Sequence, residues 1–399
     1  MANKNLTSAK REKNDEFYTQ YGDIQKEIEA YLEYNPEVFC NKVVYCNCDD
    51  PFESNFFRYF VLNFNRLGLK QLITTSYKPS PVANTQLKLF GDDITITKSK
   101  GRQKITANKF IINKVHDIDG DGESNLKDVA KQLKANQYNE WTPLEGRGDF
   151  RSDECINLLK ESDIVVTNPP FSLFRDYVKQ LVEYNKLLVI IGNMNAITYK
   201  EVFPLIKANK LWLGATGNGS DMVFAVPNGS EIAESDRQKA ARLGFVGDYT
   251  RLGNSCWFTN LDHGRRHQPL PLMAMVDNLK FSKHKQIRGI TKYIEYDNYD
   301  AIEVPFTDAI PSDYDGVMGV PISFLDKYNP EQFSILGTSD NGIIDTKYKK
   351  IPGLTKKFVD DYYKAGGTGA YKEGNPTAGY YENGTAKMAY KRIFIKHKR

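Results

Sequence analysis

Apolar and polar residues alternate along the chain in two different rhythms. Some short apolar runs are rich in β-branched residues, which is typical of strands buried on both faces. Such runs lie at residues 42–47, 72–75, 164–167 and 187–191. Other segments carry apolar side chains three and four positions apart, which predicts amphipathic helices. These segments lie at residues 24–32, 54–67, 157–160 and 174–184.

The alternation of predicted strands and helices indicates an α/β fold with a doubly wound, mostly parallel sheet. Further strand candidates follow at residues 211–213, 256–259 and 390–396, the last with the alternation of a half-exposed strand. Residues 79–145 are polar and rich in Lys and Asn, so we interpret them as an insertion. The expected organisation is a mobile basic arm at 1–14, an α/β domain at 15–216 that contains the insertion, and a C-terminal region at 217–399.

The predicted strand that ends at Thr167 is followed by the loop Asn168-Pro169-Pro170-Phe171. The two prolines cannot continue a strand, because each lacks an N–H and has a fixed φ. The chain therefore leaves the sheet on a stiff loop that presents an amide, two carbonyls and an aromatic ring. Since ligands of open α/β sheets bind outside the carboxyl ends of the strands, this loop marks one candidate site. The segment Cys48-Asp49-Asp50-Pro51, after the first predicted strand, marks another.

The charge of the chain is unevenly distributed. The 399 residues carry a formal net charge of +4, whereas residues 341–399 alone contain 13 Lys and Arg against 5 Asp and Glu. A basic tail on a nearly neutral body favours a polyanionic partner, although a solvated basic surface gives the same pattern. The candidate phosphate contacts are Arg265, Arg266, Lys391, Arg392 and Lys396.

Composition also bears on the cellular compartment. No apolar stretch approaches the about 18–20 residues of a membrane helix, and the N-terminal sequence lacks the apolar segment of a secretory signal. The five cysteines are scattered and odd in number, so we expect reduced thiols. We therefore predict a cytoplasmic protein with no membrane partner.

A run of acidic residues within the expected insertion has the spacing of a calcium loop. Its candidate ligands are Asp117, Asp119, Asp121, Asn125 and Asp128. The twelfth position is Asp rather than the usual bidentate Glu, and an acidic surface turn explains the same residues. A helix with apolar residues at 126, 129, 130 and 133 is expected to follow, and any calcium here would be structural.

The loop Asn168-Pro169-Pro170-Phe171 resembles the catalytic motif of S-adenosylmethionine-dependent amino methyltransferases, which methylate adenine N6, cytosine N4 or a glutamine amide. Residues 15–20, DEFYTQ, and 148–151, GDFR, resemble two cofactor-site motifs of such enzymes. Longer segments, at about 14–78, 146–215 and 296–336, resemble the EcoRI-type adenine-specific DNA methyltransferases. The resemblance implies a Rossmann-like catalytic domain, with residues 217–399 as the target-recognition region.

The resemblance also implies roles for individual residues. The Asn168 side-chain oxygen and the Pro169 carbonyl would accept hydrogen bonds from the adenine amine, while Phe171 would stack on the flipped base. The expected cofactor contacts are Tyr18, Thr19, Asp49, Asp50, Asp149 and Phe150. Each has a structural alternative: ordinary packing for Tyr18 and Thr19, a turn cap for Asp49 and Asp50, and a loop or cap role for Asp149. Residues 50–56 lack the glycines that usually follow the first strand in methyltransferases.

The implied reaction is site-specific N6-methylation of adenine in double-stranded DNA, with S-adenosyl-L-methionine as donor and no catalytic metal. Such an enzyme protects DNA from a cognate restriction endonuclease, acts as a monomer, and belongs to a bacterium or a phage. Three alternatives share parts of the pattern: an RNA adenine methyltransferase, a protein-glutamine methyltransferase, and a catalytically silent DNA-binding protein.

Overall fold

The computed structural model describes residues 18–48, 54–76, 107–118, 120, 124–135, 138–216, 222–226, 232–340, 342–343 and 353–398. The chain forms two compact units. The first unit comprises Met1–Ala196 and Leu211–Gly264, and the second comprises Ile197–Lys210 and Arg265–Arg399. The expected basic arm at 1–14 lies outside the described residues.

The described helices mostly follow the predicted amphipathic segments. They are α1 (Tyr21–Tyr34), α2 (Asn55–Leu62), α3 (Leu126–Lys134), α4 (Asp153–Glu161), α5 (Phe174–Glu183), α6 (Phe203–Lys207), α7 (Glu234–Arg242), α8 (Met275–Phe281) and α9 (Lys356–Lys364). Short 3-10 turns lie at Phe171–Leu173, Met194–Thr198, Gly264–His267, Thr307–Ala309 and Ile322–Lys327.

The strands of the first unit are β1 (Tyr18–Thr19), β2 (Val43–Cys46), β3 (Gln71–Thr75), β4 (Asn108–Ile112), β5 (Glu140–Pro143), β6 (Ile164–Thr167), β7 (Leu187–Asn193), β8 (Trp212–Leu213), β9 (Met222–Ala225), β10 (Tyr249–Leu252) and β11 (Ser255–Thr259). The strands of the second unit are β12 (Ala301–Glu303), β13 (Val317–Pro321), β14 (Phe333–Thr338), β15 (Gly342–Ile343), β16 (Gly379–Glu382), β17 (Thr385–Met388) and β18 (Arg392–His397).

An eight-stranded sheet forms the centre of the first unit, in the order β5-β4-β3-β2-β6-β7-β11-β8. Its middle strands, β3, β2, β6 and β7, are mutually parallel, and they are the four buried strands predicted from sequence. The outer strands pair antiparallel. The sheet is therefore mixed, and the expected mostly parallel pairing holds only for its middle.

The expected insertion is not separate from the sheet. Strands β4 and β5 lie within residues 79–145 and extend the sheet beyond β3. The predicted helix α3 also forms there, and Val129, Ala130 and Leu133 are buried in the main core. Part of this polar stretch thus belongs to the α/β fold. It reads as polar because β4 buries only Phe110 and Ile112, and the edge strand β5 buries none of its residues.

The main core lies around the parallel strands and the aromatic-rich helix α2. The Ser54 hydroxyl caps α2 by accepting the backbone N–H groups of Phe56 and Phe57. Both of these rings are buried in the core with residues of β2 and β6. Gly192 in β7 is needed for packing, since a Cβ there would clash with the Phe174 ring.

Residues after 216 also contribute to the first unit. In a three-stranded sheet, β9 pairs with both β1 and β10, while β11 pairs with β7 in the large sheet. The expected boundary at 216/217 therefore differs from the compact units, whose main division lies after Gly264. The exception is Ile197–Lys210, which groups with the second unit.

The second unit is built on a five-stranded sheet, in the order β12-β13-β18-β14-β15. The predicted C-terminal strand is confirmed as β18, but it pairs with a neighbour on each side. Its residues Ile393, Phe394 and Ile395 are all buried, so the expected half-exposed strand is a central one. A separate hairpin joins β16 and β17 beside α9.

None of the helices in the described part of the chain is long and apolar enough to cross a membrane.

Candidate active site

The candidate active site lies at the carboxyl ends of three neighbouring parallel strands, β3, β2 and β6. Asn47 follows β2, Ser76 follows β3, and Thr167 is the last residue of β6. The Thr167 hydroxyl donates a hydrogen bond to the Asn47 carbonyl oxygen, and both residues are buried. This bond joins the ends of β2 and β6, where the sequence predicts the cofactor and substrate sites.

Tyr177 connects the same strand end to a second motif. Its hydroxyl, carried by α5, donates to the side-chain oxygen of Asn47. Its ring meets the Phe150 ring edge to face, with centroids 5.0 Å apart and planes at 82°. Burial raises the pKa of Tyr177 well above its ordinary value, so the hydroxyl stays protonated and acts as a donor. The Tyr177 phenol on α5 therefore contacts both the segment after β2 and the segment before α4.

The loop after β6 has the form predicted from its two prolines. Asn168 is only 8% exposed, Pro169 is buried and Pro170 is half-buried. The chain then turns through Phe171–Leu173, closed by a 3.0 Å bond from the Leu173 N–H to the Pro170 carbonyl. The half-buried Phe171 packs against the main core. A carboxamide is thus held, almost out of water, at the end of a parallel strand.

The Gly148-Asp149 segment approaches the end of β3. Gly148 has a φ of +72°, and a Cβ at this position would clash with the Ser76 carbonyl oxygen. Glycine is therefore required by both the conformation and the contact. The Asp149 carboxylate accepts bonds of 2.9 and 2.7 Å from the Arg151 guanidinium. These bonds hold the pKa of Asp149 below its ordinary value of 3.8, so the carboxylate is ionised at neutral pH.

Tyr18 and Thr19 form β1, whose register pairs them with Ala225 and Phe224. The Thr19 carbonyl accepts a 2.7 Å hydrogen bond from the Asn55 side chain at the start of α2. Helix α2 begins just after the predicted cofactor segment. The structure therefore ties the first motif to the same end of the first unit as the other motifs.

Some predicted residues fall outside the described part of the chain. They are Asp49 and Asp50 of the cofactor segment, and Asp119 and Asp121 of the acidic run. Asp128 is buried, and its two oxygens accept the N–H groups of Ile118 and Asn125, each at 2.9 Å. Asp117 accepts the Gly120 N–H. The described acidic residues therefore cap α3 and its preceding turn, and no metal-ligand cluster occurs among the residues described.

Two of the five predicted phosphate contacts are committed to bonds within the second unit. The Arg266 side chain donates to the Asn209 side-chain oxygen, and the residue is only 6% exposed. Arg392 pairs with Glu303, and these side chains are 11% and 5% exposed. Both guanidinium groups are buried and bonded inside the fold, so we remove both residues from the candidate DNA contacts. The sequence does not reveal that these arginines are buried, because the residues to which they bond, Asn209 and Glu303, lie far away along the chain.

The other three predicted contacts are more accessible. Arg265 bonds to Asp326 at 2.5 Å with a side chain 35% exposed, and Lys391 bonds to Asp340 at 3.0 Å with 40% exposed. Lys396 is an exposed residue of β18. These three positions stay predictions as phosphate contacts.

Three buried polar residues near the motifs were missed by the sequence analysis: Asn47, Tyr177 and Glu27. The first two read as strand and helix-core positions, and no local pattern marks their hydrogen bond. The carboxylate of Glu27 in α1 accepts the Ala215 and Thr216 N–H groups at 2.8 and 2.7 Å. It also accepts the Tyr31 and Thr216 hydroxyls, each at 2.6 Å. Burial raises the pKa of Glu27 despite these donors.

Comparison with known proteins identifies the family of this chain. The family model described as adenine-specific methyltransferase EcoRI matches residues 5–398. The chain is 45% identical to the Type II methyltransferase M.EcoRI of Escherichia coli over 335 residues, which are 84% of this chain and 89% of that protein. It is 34% identical to the Type II methyltransferase M.MpnI of Mycoplasma pneumoniae, over 82% of this chain and 83% of that protein.

The Type II methyltransferase M.MgeORF184P of Mycoplasma genitalium is 33% identical, over 82% of this chain and 84% of that protein. No solved structure gives a significant match. The family model covers nearly the whole chain, and the relatives are matched over more than four fifths of their own length. The chain therefore belongs to the EcoRI family of adenine-specific methyltransferases.

Proposed function

We propose that this protein transfers a methyl group from S-adenosyl-L-methionine to N6 of a flipped adenine at a specific site in duplex DNA. The family gives the enzyme class, a DNA adenine methyltransferase of restriction-modification. The observation that carries the residue assignment is the buried carboxamide of Asn168. It lies at the end of β6, beside the Asn47 strand end to which Thr167 is bonded.

The carboxyl ends of β2 and β3 supply groups that suit the cofactor. Open α/β sheets bind ligands at such ends, and a doubly wound, Rossmann-like arrangement is the form we propose for this unit. Asp149 is an ionised acceptor for the polar edge of an adenine or ribose, and Phe150 is an apolar wall. Tyr18 and Thr19 would hold the methionine end, with Asp49 and Asp50 near the ribose. When bound, S-adenosylmethionine supplies an electrophilic methyl group.

Asn168 and Pro169 would orient the amine of the target base. An exocyclic amine conjugated to a ring is a weak nucleophile, so its geometry controls the rate. The Asn168 Oδ1 and the Pro169 carbonyl would each accept one N–H, which turns the nitrogen lone pair away from the loop. Orientation of this kind can contribute about 7–11 kcal/mol to catalysis. No acid, metal or covalent intermediate is needed for this role.

The remaining parts of the proposal concern the target. An adenine inside a duplex is out of reach of a strand-end site, so it must leave the stack, and Phe171 offers a ring on which it can lie. We assign recognition of the sequence to the second unit. The protein would act as a monomer on cellular or phage DNA in the cytoplasm, beside a restriction endonuclease with the same site.

The test is methyl transfer to three substrates in parallel. S-adenosylmethionine with a tritiated methyl group is incubated with the protein and with duplex DNA, RNA or a protein extract. We expect label in DNA alone. Label mainly in RNA or in protein would replace this proposal with one of the other amino methyltransferase reactions. DNA binding without any transfer would indicate a silent DNA-binding protein.

A further inference from the structure

The second unit carries a strongly basic surface segment in addition to the basic tail. Residues 278–294 contain five Lys and Arg and no Asp or Glu, which exceeds the net charge of +4 of the whole chain. All five cations are exposed. They are Lys280, Lys283, Lys285, Arg288 and Lys292, and we refer to them as the basic strip.

The strip is fixed in place by buried residues that alternate with it. Asn278, Ser282, Ile287 and Tyr293 are each at most 2% exposed. The Tyr293 hydroxyl donates to the Ala309 carbonyl at 2.6 Å. Backbone bonds close the segment on itself, from the Ser282 N–H to the Asn278 carbonyl and from the Gly289 N–H to the Leu279 carbonyl. The exposed cations are therefore presented by an ordered surface.

Three members of the strip have no partner of opposite charge among the described residues. Lys283 pairs with Asp308 at 2.7 Å, and Lys292 pairs with Glu295 at 3.1 Å. Lys280, Lys285 and Arg288 make no ion pair with any residue in the described ranges. These three cations are therefore available to contact a polyanion, which would also reduce the repulsion among the charges of the strip.

An exposed aromatic ring lies within the strip. Phe281, next to Lys280, is 69% exposed, and Val276 on the same short helix is 55% exposed. By contrast, the His284 ring of the same segment stacks on Phe306, with centroids 3.7 Å apart. An exposed ring among cations suits a partner with alternating charged and apolar surface. The sugar-phosphate backbone and grooves of duplex DNA have this character.

We propose that the basic strip is a DNA-binding surface, on which Lys280, Lys285 and Arg288 contact phosphates and Phe281 contacts the sugars or the groove. This inference rests on the proposed function, because it takes duplex DNA as the partner. The strip provides affinity and position on the duplex rather than base recognition, since phosphate contacts carry no sequence information.

The test measures how DNA affinity depends on salt. Filter binding of a mixed-sequence duplex, without cofactor, is compared for the wild type and for a triple variant with Lys280→Ala, Lys285→Ala and Arg288→Ala. The slope of log K against log salt should fall by about 0.9 for each lost contact, on the order of 2.7 in all. Affinity at 0.1 M salt should fall by at least about tenfold. Phe281→Ala should weaken binding without changing the slope, because it removes no charge.

A second triple variant controls for net charge. Lys356→Ala, Lys357→Ala and Lys387→Ala remove the same charge from exposed lysines of the second unit, which are paired with Asp360, Asp361 and Glu382. The strip inference is overturned if the first variant keeps the wild-type slope, or if both variants lower it equally. In the latter case the total charge, rather than the strip, controls binding.

Methyl transfer separates this inference from the proposed function. At saturating DNA the strip variant should keep the wild-type kcat and show a raised KM for DNA. Loss of kcat at saturating DNA would contradict a role confined to binding. A wild-type protein that binds DNA with a strip-dependent slope but transfers no methyl group would refute the proposed function and leave the strip inference standing.

Discussion

Replacing Arg392 with Ala should destabilise the second unit, although sequence alone suggests a solvent-exposed tail residue. The Arg392 Nε lies 3.1 and 3.0 Å from the two carboxylate oxygens of Glu303, and Nη2 reaches the first of them as well. The Tyr296 hydroxyl donates to the same carboxylate. The pair links two non-adjacent strands of the five-stranded sheet across β13, since Arg392 begins β18 and Glu303 ends β12.

The expected cost follows from the burial of both partners. With side chains only 11% and 5% exposed, removal of the guanidinium leaves a carboxylate that water cannot reach well. Breaking a buried pair in this way costs about 3–5 kcal/mol. Arg392→Lys keeps the charge but loses the two-pronged geometry, so its cost should be smaller. Replacing both partners, as in Arg392→Met with Glu303→Leu, should recover much of the loss, because no charge is left buried.

Urea unfolding followed by circular dichroism measures this effect. Two compact units can unfold separately, so the transition that includes the C-terminal strand must be identified first, with limited proteolysis. Lys396→Ala, an exposed position of the same strand, is the matched control and should change the unfolding free energy by less than about 0.5 kcal/mol. A cost below about 1 kcal/mol for Arg392→Ala would show that the pair is solvated and would restore Arg392 to the candidate DNA contacts.

Three further predictions concern the first unit. Tyr177→Phe removes the donor to Asn47 and should cost about 1–3 kcal/mol of stability. It should also raise the KM for S-adenosylmethionine more than it lowers kcat. Wild-type kinetics would show that Tyr177 does not couple the Asn47 strand end to the Phe150 segment. Asp149→Asn replaces an ionised acceptor, so calorimetry should show cofactor affinity about tenfold weaker or worse at neutral pH, and unchanged affinity would mean that this carboxylate serves only Arg151. Phe171→Ala should lose about 1–3 kcal/mol of base stacking, with a smaller defect when the target adenine is mispaired; a defect of the same size on mispaired DNA would contradict stacking.

The middle of the fold was predictable from the sequence because its residues repeat locally. Strands buried on both faces leave continuous β-branched runs, and β2, β3, β6 and β7 were placed from these runs. The outer strands β4 and β5 leave a weaker pattern, because β4 buries only two of its residues and β5 buries none, so the sequence suggests a polar insertion there. The strand β18 is recognisable in the sequence, but a surface position is expected for it, because the predicted strand at 390–396 has basic residues at 391, 392 and 396.

The site was predictable where a motif is contiguous and not where partners are distant. The loop around Asn168 is recognisable in the sequence because it contains two adjacent prolines. By contrast, Asn47 and Tyr177 are 130 positions apart, and Arg392 and Glu303 are 89 apart. Nothing in one sequence links such pairs, so a buried arginine and a surface arginine look alike. The basic strip is contiguous in sequence, but its five charges are fewer than the excess of 13 Lys and Arg over 5 Asp and Glu in residues 341–399, which dominates the charge pattern.

Nucleoside mass spectrometry of treated DNA tests the central claim most directly. Plasmid DNA that lacks methylation is incubated with S-adenosylmethionine and either the wild type, Asn168→Ala, or Asn157→Ala, whose residue is exposed on α4. The account predicts N6-methyldeoxyadenosine with the wild type and with Asn157→Ala, reaching a fixed small fraction of all adenines. Asn168→Ala should produce almost none while binding DNA and cofactor normally. N4-methyldeoxycytidine as the product, or N6-methyldeoxyadenosine formed by Asn168→Ala at the wild-type rate, would contradict the account.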